Sequence, residues 1–369
     1  MSPPEMRVAG ASIWENQVGT GPFMLEEYVV GSHMSYVRNP NYWYSTTING
    51  VEYQLPFVDK LVYPIIPDES TQVAALRTAV VDIDTRVGPA YIYELEQTAP
   101  KLLTSYVRTG NPISVWLRTD KPPLDNRNVR RALFIGTNRK AILDAILGGV
   151  GALYDWPLAE GVPGYVPLAE LPPETRLLYD YNPELARQML ADEGYPDGFK
   201  IEMLSYVPMH RAAEIAEMVS GMWENDLGVE VDLKILEHTL SYSIVEAEEH
   251  PPLFVGWGSN LLPLYTFEAH YVYTGVPGRR FSMYSNPELE ELFAKAKVTV
   301  DTAERTAILE KLFIMVTDDA VAVPIAHPFE LVYWWPWVKN YYGETARMCL
   351  DPPYEFMWLD LDLKAEMGY

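Results

Sequence analysis

The sequence predicts an α/β protein in which helices alternate with the strands of a mixed sheet. Three observations point there. Short runs rich in Val, Ile, Tyr and Met alternate with segments that carry an apolar stripe at helical spacing. Of the 369 residues, 48% are hydrophobic, enough for two or more domains with sizeable cores. No apolar run approaches a membrane span, and no short repeat or low-complexity segment breaks the alternation.

A hairpin comes first. Val18-Gly-Thr-Gly-Pro-Phe23 leads into a strand starting near Phe23 and passing Tyr28. Gly31 separates two runs rich in Val, Tyr and Met, and Arg38-Asn-Pro-Asn-Tyr-Trp43 ends the second strand at Asn39-Pro40-Asn41. A helix is expected from Asp68 or Thr71 to Val80, with Val73, Leu76 and Val80 on one face. After Asn111-Pro112 the pattern changes to a strand, Ile113–Leu117, and then helices. Asp125 is placed to cap one, and Asn138 another that stops at Gly148-Gly149. Asn182 with Pro183 starts a third, ended by Gly194. A fourth spans roughly Arg211 to Asp226, with Ile215, Val219, Met222 and Trp223 as its stripe, and strand Val229–Leu236 follows. Asn286 with Pro287 opens the next helix, turning Leu289, Leu292, Phe293 and Ala296 inward. Asp301 and Glu304 resemble a capping box for a helix carrying Ile308, Leu312 and Val316. Strand Val321–Ile325 and the aromatic run Tyr333-Trp-Trp-Pro-Trp337 complete the pattern.

Lys and Arg number 28 against 51 Asp and Glu, a formal charge of −23, which argues against a nucleic-acid partner because phosphate binding needs basic surface. The one cysteine, Cys349, forms no intramolecular disulfide and is far from the amino terminus, where a lipoprotein anchor would be. The opening Met-Ser-Pro-Pro-Glu-Met-Arg lacks the basic start and apolar core of a secretory signal.

An enzyme needs a constellation of groups, and none is legible. Gly256-Trp-Gly-Ser-Asn260 lacks the Gly-x-Ser-x-Gly elbow that exposes a nucleophile. His33, His210, His238, His250, His270 and His327 are too scattered to read as a metal site. Asp82 and Asp84 share a strand face, an arrangement commoner in a strand-end turn than in an acid/base pair. Arg127, Arg130 and Arg131 read as the solvated face of a helix. The expectation is therefore no catalytic residue, no metal and no cofactor.

Several further segments carry a resemblance. Val58-Asp-Lys-Leu61, Pro67-Asp-Glu-Ser-Thr71, Val81-Asp-Ile83, Lys121-Pro-Pro-Leu-Asp125, Val129-Arg-Arg-Ala132 and Asn138-Arg-Lys-Ala-Ile142 follow the hairpin. Tyr181-Asn-Pro-Glu184, Glu193-Gly-Tyr-Pro-Asp-Gly-Phe199, Gly256-Trp257, Tyr284-Ser-Asn-Pro-Glu288 and Val323-Pro-Ile325 continue the order. Together they resemble the extracytoplasmic solute-binding proteins of the peptide, nickel and oligosaccharide ABC importers, family 5. The resemblance implies a two-lobe periplasmic-binding-protein-like fold (type II, cluster C) with mixed sheets. Residues 1–112 would form part of lobe one, 113–329 lobe two, and 330–369 the return to lobe one. Family members carry a long stretch before Val-Gly-Thr-Gly-Pro-Phe, whereas 17 residues precede it here, so the N-terminal part of lobe one and an accessory domain are expected to be missing.

The function implied is the substrate-binding component of an ABC importer, periplasmic or on the cell surface. It would capture a small solute, peptide or oligosaccharide-like, between two lobes and deliver it to a membrane permease. Closure would hinge near Asn111–Ser114 and Pro324–Phe329. The alternative is an interaction or scaffold protein that forms a homodimer through exposed sheet edges and the Trp334–Trp337 cluster, with a hydrolase third.

In peptide-binding relatives the Gly-Trp is followed by an aspartate that pairs with the peptide ammonium. Here that stretch reads Asn260 and Leu262-Pro-Leu264, with no carboxylate between His250 and Glu268. An amide cannot supply the charge-assisted bond, about twice as strong as a neutral one. Some small-peptide binders also carry an arginine where Tyr206 stands, although Arg211 is close. Both departures favour a neutral, polyhydroxyl solute. The implied contacts are Trp257, Gly258, Ser259, Asn260 and Tyr206, with aromatic walls from Trp116, Trp257, Tyr265, Phe281 and Tyr284. Each of these aromatics also has a plainer reading as core packing, and Trp334, Trp335 and Trp337 read as packing or subunit contact.

Overall fold

The computed structural model describes residues 6, 8, 10, 13–108, 110–207, 211–272, 280–344 and 352–369; His210 and Cys349 lie outside them. The chain divides into two compact units, Met1–Val107 with Glu330–Tyr369, and Arg108–Phe329. The first crossing thus falls at 107/108, against 112/113 expected from the sequence.

In the first unit, β1 (Phe23–Val29) and β2 (His33–Arg38) form the expected antiparallel hairpin. After the small hairpin β3 (Ser45–Ile48) and β4 (Val51–Gln54), β5 (Lys60–Pro64) pairs with β2 to give the order β1-β2-β5. Asp68 caps α1 (Glu69–Arg77), its carboxylate accepting the Thr71 N–H at 2.8 Å, and Val73 and Leu76 are buried. Val80, expected on that face, is 74% exposed: the helix ends at Arg77 and Ala79 adopts a left-handed φ of 59°, which turns the chain away. β6 (Ile83–Val87), α2 (Ile92–Thr98) and β7 (Leu103–Arg108) follow.

The second unit contains β8 (Ile113–Leu117), α3 (Arg127–Ile135), α4 (Arg139–Leu147), β9 (Gly151–Ala152), α5 (Pro183–Asp192) and β10 (Lys200–Val207). It continues through α6 (Ala212–Leu227), β11 (Glu230–Glu237), α7 (His238–Glu246), β12 (Leu253–Trp257), α8 (Pro263–His270), α9 (Pro287–Val298), α10 (Thr302–Asp318) and the start of β13 (Ala322–Trp334). The strand order β11-β10-β12-β8-β13 is mixed: β11, β10 and β12 run parallel, and β8 pairs antiparallel with both β12 and β13. All five residues of β8 are buried, as a central strand covered on both faces requires. Asn138, Asn182, Asn286 and Asp301 cap their helices as expected, whereas Asn126 rather than Asp125 caps α3.

The arginines of α3 correct a second expectation. Arg130 and Arg131 are only 4% and 8% exposed. Arg130 donates to the Asp319 carbonyl at 2.7 Å, and Arg131 to the Asp318 carboxylate at 2.8 Å. Their face of α3 packs on the C-terminal end of α10, where unpaired carbonyls and carboxylates attract cations.

His250, just before β12, donates through Nε2 to the Phe281 carbonyl at 2.9 Å. Burial is the main cause that pushes its pKa down to about 4. The unfolded chain therefore binds more protons than the folded one between about 6.5 and 4, so folding stability falls as pH drops through that window. His250→Gln is expected to remove on the order of 2–4 kcal/mol of this acid sensitivity. Denaturant unfolding of both proteins at pH 7 and pH 4.5 checks it; parallel losses in the two would sink the assignment.

Returning to the first unit, β13 pairs with β6 through Leu331↔Val87, Tyr333↔Asp84 and Trp334↔Ile83. Trp335 and Trp337 stack at 4.6 Å, and their indole N–H groups donate to the Leu76 carbonyl and the Asp82 carboxylate. Trp334, Trp335 and Trp337 are thus interior packing, so the tryptophan cluster is not the exposed contact surface that the dimer alternative assigned to it. Asp82 also binds Lys364 at 2.9 Å, a structural role.

Candidate functional site

Parallel β10 and β12 end at the same edge of the sheet, and ligands of open α/β sheets gather outside such carboxyl ends. Trp257 closes β12 opposite Ile113 and is half-buried. The pairing extends one residue further, the Gly258 N–H donating to the Pro112 carbonyl at 2.8 Å. A Cβ on Gly258 would lie 2.6 Å from Cζ3 of Trp156, so glycine is required where the backbone passes that indole. The Ser259 N–H donates to His270 Nε2 at 3.1 Å. Asn260 is fully buried; its Nδ2 donates to the Asp155 carbonyl at 2.7 Å and its own carbonyl accepts from the Ala159 N–H at 3.0 Å.

Around Asn260 stands a polar cluster that belongs wholly to the second unit. His327 Nδ1 lies 2.7 Å from Asp155 Oδ2, and Arg108 Nε lies 3.2 Å from the same oxygen. The other carboxylate oxygen accepts the Glu160 N–H at 3.0 Å. The Arg108 guanidinium sits over the Phe329 ring at 5.3 Å. A carboxylate only accepts, so the proton of the His327–Asp155 bond is on Nδ1, and the approach of Asn260 Nδ2 to that nitrogen, 3.2 Å, is a contact rather than a bond. Among the described residues, His327 Nε2, Asn260 Oδ1 and Ser259 Oγ are buried without a hydrogen-bond partner.

The structure gathers Trp257, Gly258, Ser259 and Asn260 at this edge and disperses the other candidates. The Trp116 ring is enclosed by Trp156, His270 and Phe281 at 5.0, 5.2 and 4.9 Å, and its Nε1 donates to the Gly256 carbonyl at 3.3 Å. Phe281 is buried in the same cluster. Tyr206 is packed among His238, Tyr242 and Phe254, and burial pushes its phenol well up. Tyr284 donates to the Asp319 carboxylate and accepts from Asn286 Nδ2 at 2.9 Å. These four aromatics are core residues: Trp116 and Tyr206 lie on the sheet strands β8 and β10, Phe281 and Tyr284 on the loop before α9, and all four are buried. Tyr265, on α8, is 48% exposed. Arg211 pairs with Glu214 at 3.1 Å on the surface, at the start of α6.

Arg108, Asp155 and His327 went unnoticed as a group in the sequence. Asp155 and His327 are 172 residues apart, so no spacing rule joins them. Among the described residues no three or more His, Cys, Asp or Glu stand together as metal ligands, and no helix is long and apolar enough to cross a membrane.

Comparison with known proteins adds the following. The family model described as bacterial extracellular solute-binding proteins, family 5 middle, matches residues 3–277. Heme-binding protein A of Haemophilus influenzae is 27% identical over 330 residues, covering 88% of this chain and 57% of the relative. The dipeptide-binding protein of Escherichia coli is 28% identical over 322 residues, covering 85% and 56%. The chain therefore spans a little over half the length of these relatives. Among solved structures, the periplasmic binding protein DppA of Helicobacter pylori in complex with the peptide STSA superposes with a TM-score of 0.76 at 22% identity, over 93% of this chain and 63% of that one. The fold is that of the lobed binding proteins.

Proposed function

The chain belongs to the bacterial extracellular solute-binding proteins of family 5, and from that premise we propose that it is the substrate-binding component of an ABC importer. It captures a small solute outside the cytoplasm and presents it to a membrane permease, without covalent chemistry. The observation that carries this reading is the edge formed by Trp257, Gly258, Ser259 and Asn260, where a half-buried indole adjoins polar groups at the carboxyl end of a parallel strand. The relatives named above bind heme or short peptides, so the family leaves the solute open. Asn260 offers a neutral amide, which favours an oligosaccharide-like or other polyhydroxyl solute over a peptide held by its ammonium. Of the proposed aromatic walls, Trp257 and Tyr265 retain exposed surface.

Titration of the full chain with oligosaccharides and with di- and tripeptides, followed by tryptophan fluorescence and thermal unfolding, tests this. A saturable change with an oligosaccharide and none with peptides is the expected result. Saturable binding by peptides alone would overturn the polyhydroxyl reading, and no saturable binding by any probe would overturn the transport function.

A further inference from the structure

We propose that a recess between α2, β7 and β13 binds a guanidinium group carried on a short apolar stem, the chemistry of an arginine side chain or of a small alkylguanidine. Its lining belongs wholly to the first unit, so it is separate from the edge at the end of β12 and stands without the transport reading. The recess is open on one side and holds about 150 Å³. A space of that size admits a group about as large as benzene, and it is smaller than the pockets of ~300 Å³ or more that enclose larger ligands.

The lining divides by chemistry. Leu95 and Ala99, one helical turn apart along α2 and its end, are buried and make the apolar side. Thr104 and Tyr106 are two apart on β7 and so share a face, and Tyr333 adjoins them because β7 pairs with β13. Tyr333 is buried, whereas Tyr106 is 54% exposed. Burial raises the Tyr333 phenol, and the nearby Tyr106 and Glu96 add to it, so at pH 7 it is neutral and offers lone pairs. The charged group of the lining is the Glu96 carboxylate. Among the described residues it makes no ion pair or hydrogen bond, while Glu94, two residues earlier, is taken by Arg77 at 2.8 Å. An anion would be repelled here, and a neutral alcohol would leave the carboxylate uncompensated. A guanidinium pairs with a carboxylate through two parallel bonds and stacks on aromatic rings, and it is more weakly hydrated than an ammonium.

Fluorine-19 NMR of the full chain labelled with fluorotyrosine tests this. The signals are assigned by their loss in Tyr106→Phe and Tyr333→Phe; should the second variant fail to fold, the exposed Tyr106 serves alone. The probes are butylguanidinium, butylammonium, butanol, butyrate and the capped peptide acetyl-Gly-Arg-Gly-amide. Butylguanidinium should move the assigned signals saturably and bind more tightly than butylammonium, while butanol and butyrate leave them in place. Glu96→Gln should weaken butylguanidinium about fivefold, the upper range for an exposed pair, and Glu96→Lys should abolish its binding. Glu96 is exposed, so both variants keep the fold. Signals that butylguanidinium leaves unmoved overturn the proposal. So does butanol or butylammonium binding as tightly as butylguanidinium, or an affinity unchanged in Glu96→Lys. With the guanidinium preference in place, tighter binding of the capped peptide than of butylguanidinium assigns the recess to an arginine side chain of a partner protein, and weaker binding assigns it to a free alkylguanidine.

Discussion

Asp155→Ala is expected to lower the stability of the 108–329 unit by about 3–5 kcal/mol, because breaking a buried ion pair leaves the partner groups uncompensated. Three donors converge on this one carboxylate: His327 Nδ1 at 2.7 Å, Arg108 Nε at 3.2 Å and the Glu160 N–H at 3.0 Å. Alanine removes all three acceptor contacts while His327 stays buried, and Arg108 is left with the more solvated Glu160 carboxylate at 3.6 Å. Asparagine at the same position separates charge from volume. It fills the same space, but its amide must turn an NH2 group toward at least one of the three donors, so Asp155→Asn should be nearly as damaging as alanine. Calorimetric unfolding at pH 7 of the wild type and both variants decides this. An asparagine variant as stable as the wild type would mean that the site needs only bulk.

The cluster also shows where a sequence stops being readable. Helix starts were legible because capping is local: Asn138, Asn182, Asn286 and Asp301 each accept from an N–H two or three residues on, so the partner is in the same short window. Arg130 and Arg131 were misread because their acceptors, Asp319 and Asp318, lie 189 and 187 residues away, and without them a basic helix face looks solvated. His327 failed in the same way, as its meaning depends on Asp155 across 172 residues.

Asn260 was singled out in the sequence by its place after Gly256-Trp257. Its burial was not, because nothing local says that the Asp155 carbonyl takes its amide. The aromatics were ambiguous for a different reason. A ring facing a solute and a ring facing the core obey the same apolar pattern, and only the cover supplied by distant segments distinguishes them. For Trp116 that cover is Trp156 on one side and His270 and Phe281 on others.

Trp116→Ala separates these two roles, and the expected result is a loss of about 3–5 kcal/mol of stability, the range for emptying a buried tryptophan site. The ring is fully buried on central strand β8, within 5.2 Å of Trp156, His270 and Phe281, so no single neighbour can collapse to fill the space. Its Nε1 also bonds the Gly256 carbonyl, and removing the indole leaves that acceptor without it. The damage should then spread to the edge of the sheet. Trp156 loses the ring it packs against, and Gly258 is held under Trp156, so the turn that places Ser259 and Asn260 loosens. Solute affinity should fall together with stability, and Trp116→Phe should restore most of both by refilling part of the volume. A solute-facing wall predicts the opposite division: Trp116→Ala would leave the unfolding temperature near that of the wild type and abolish binding alone. Thermal unfolding and titration on the same preparation distinguish the two, and unchanged stability would return Trp116 to the solute site.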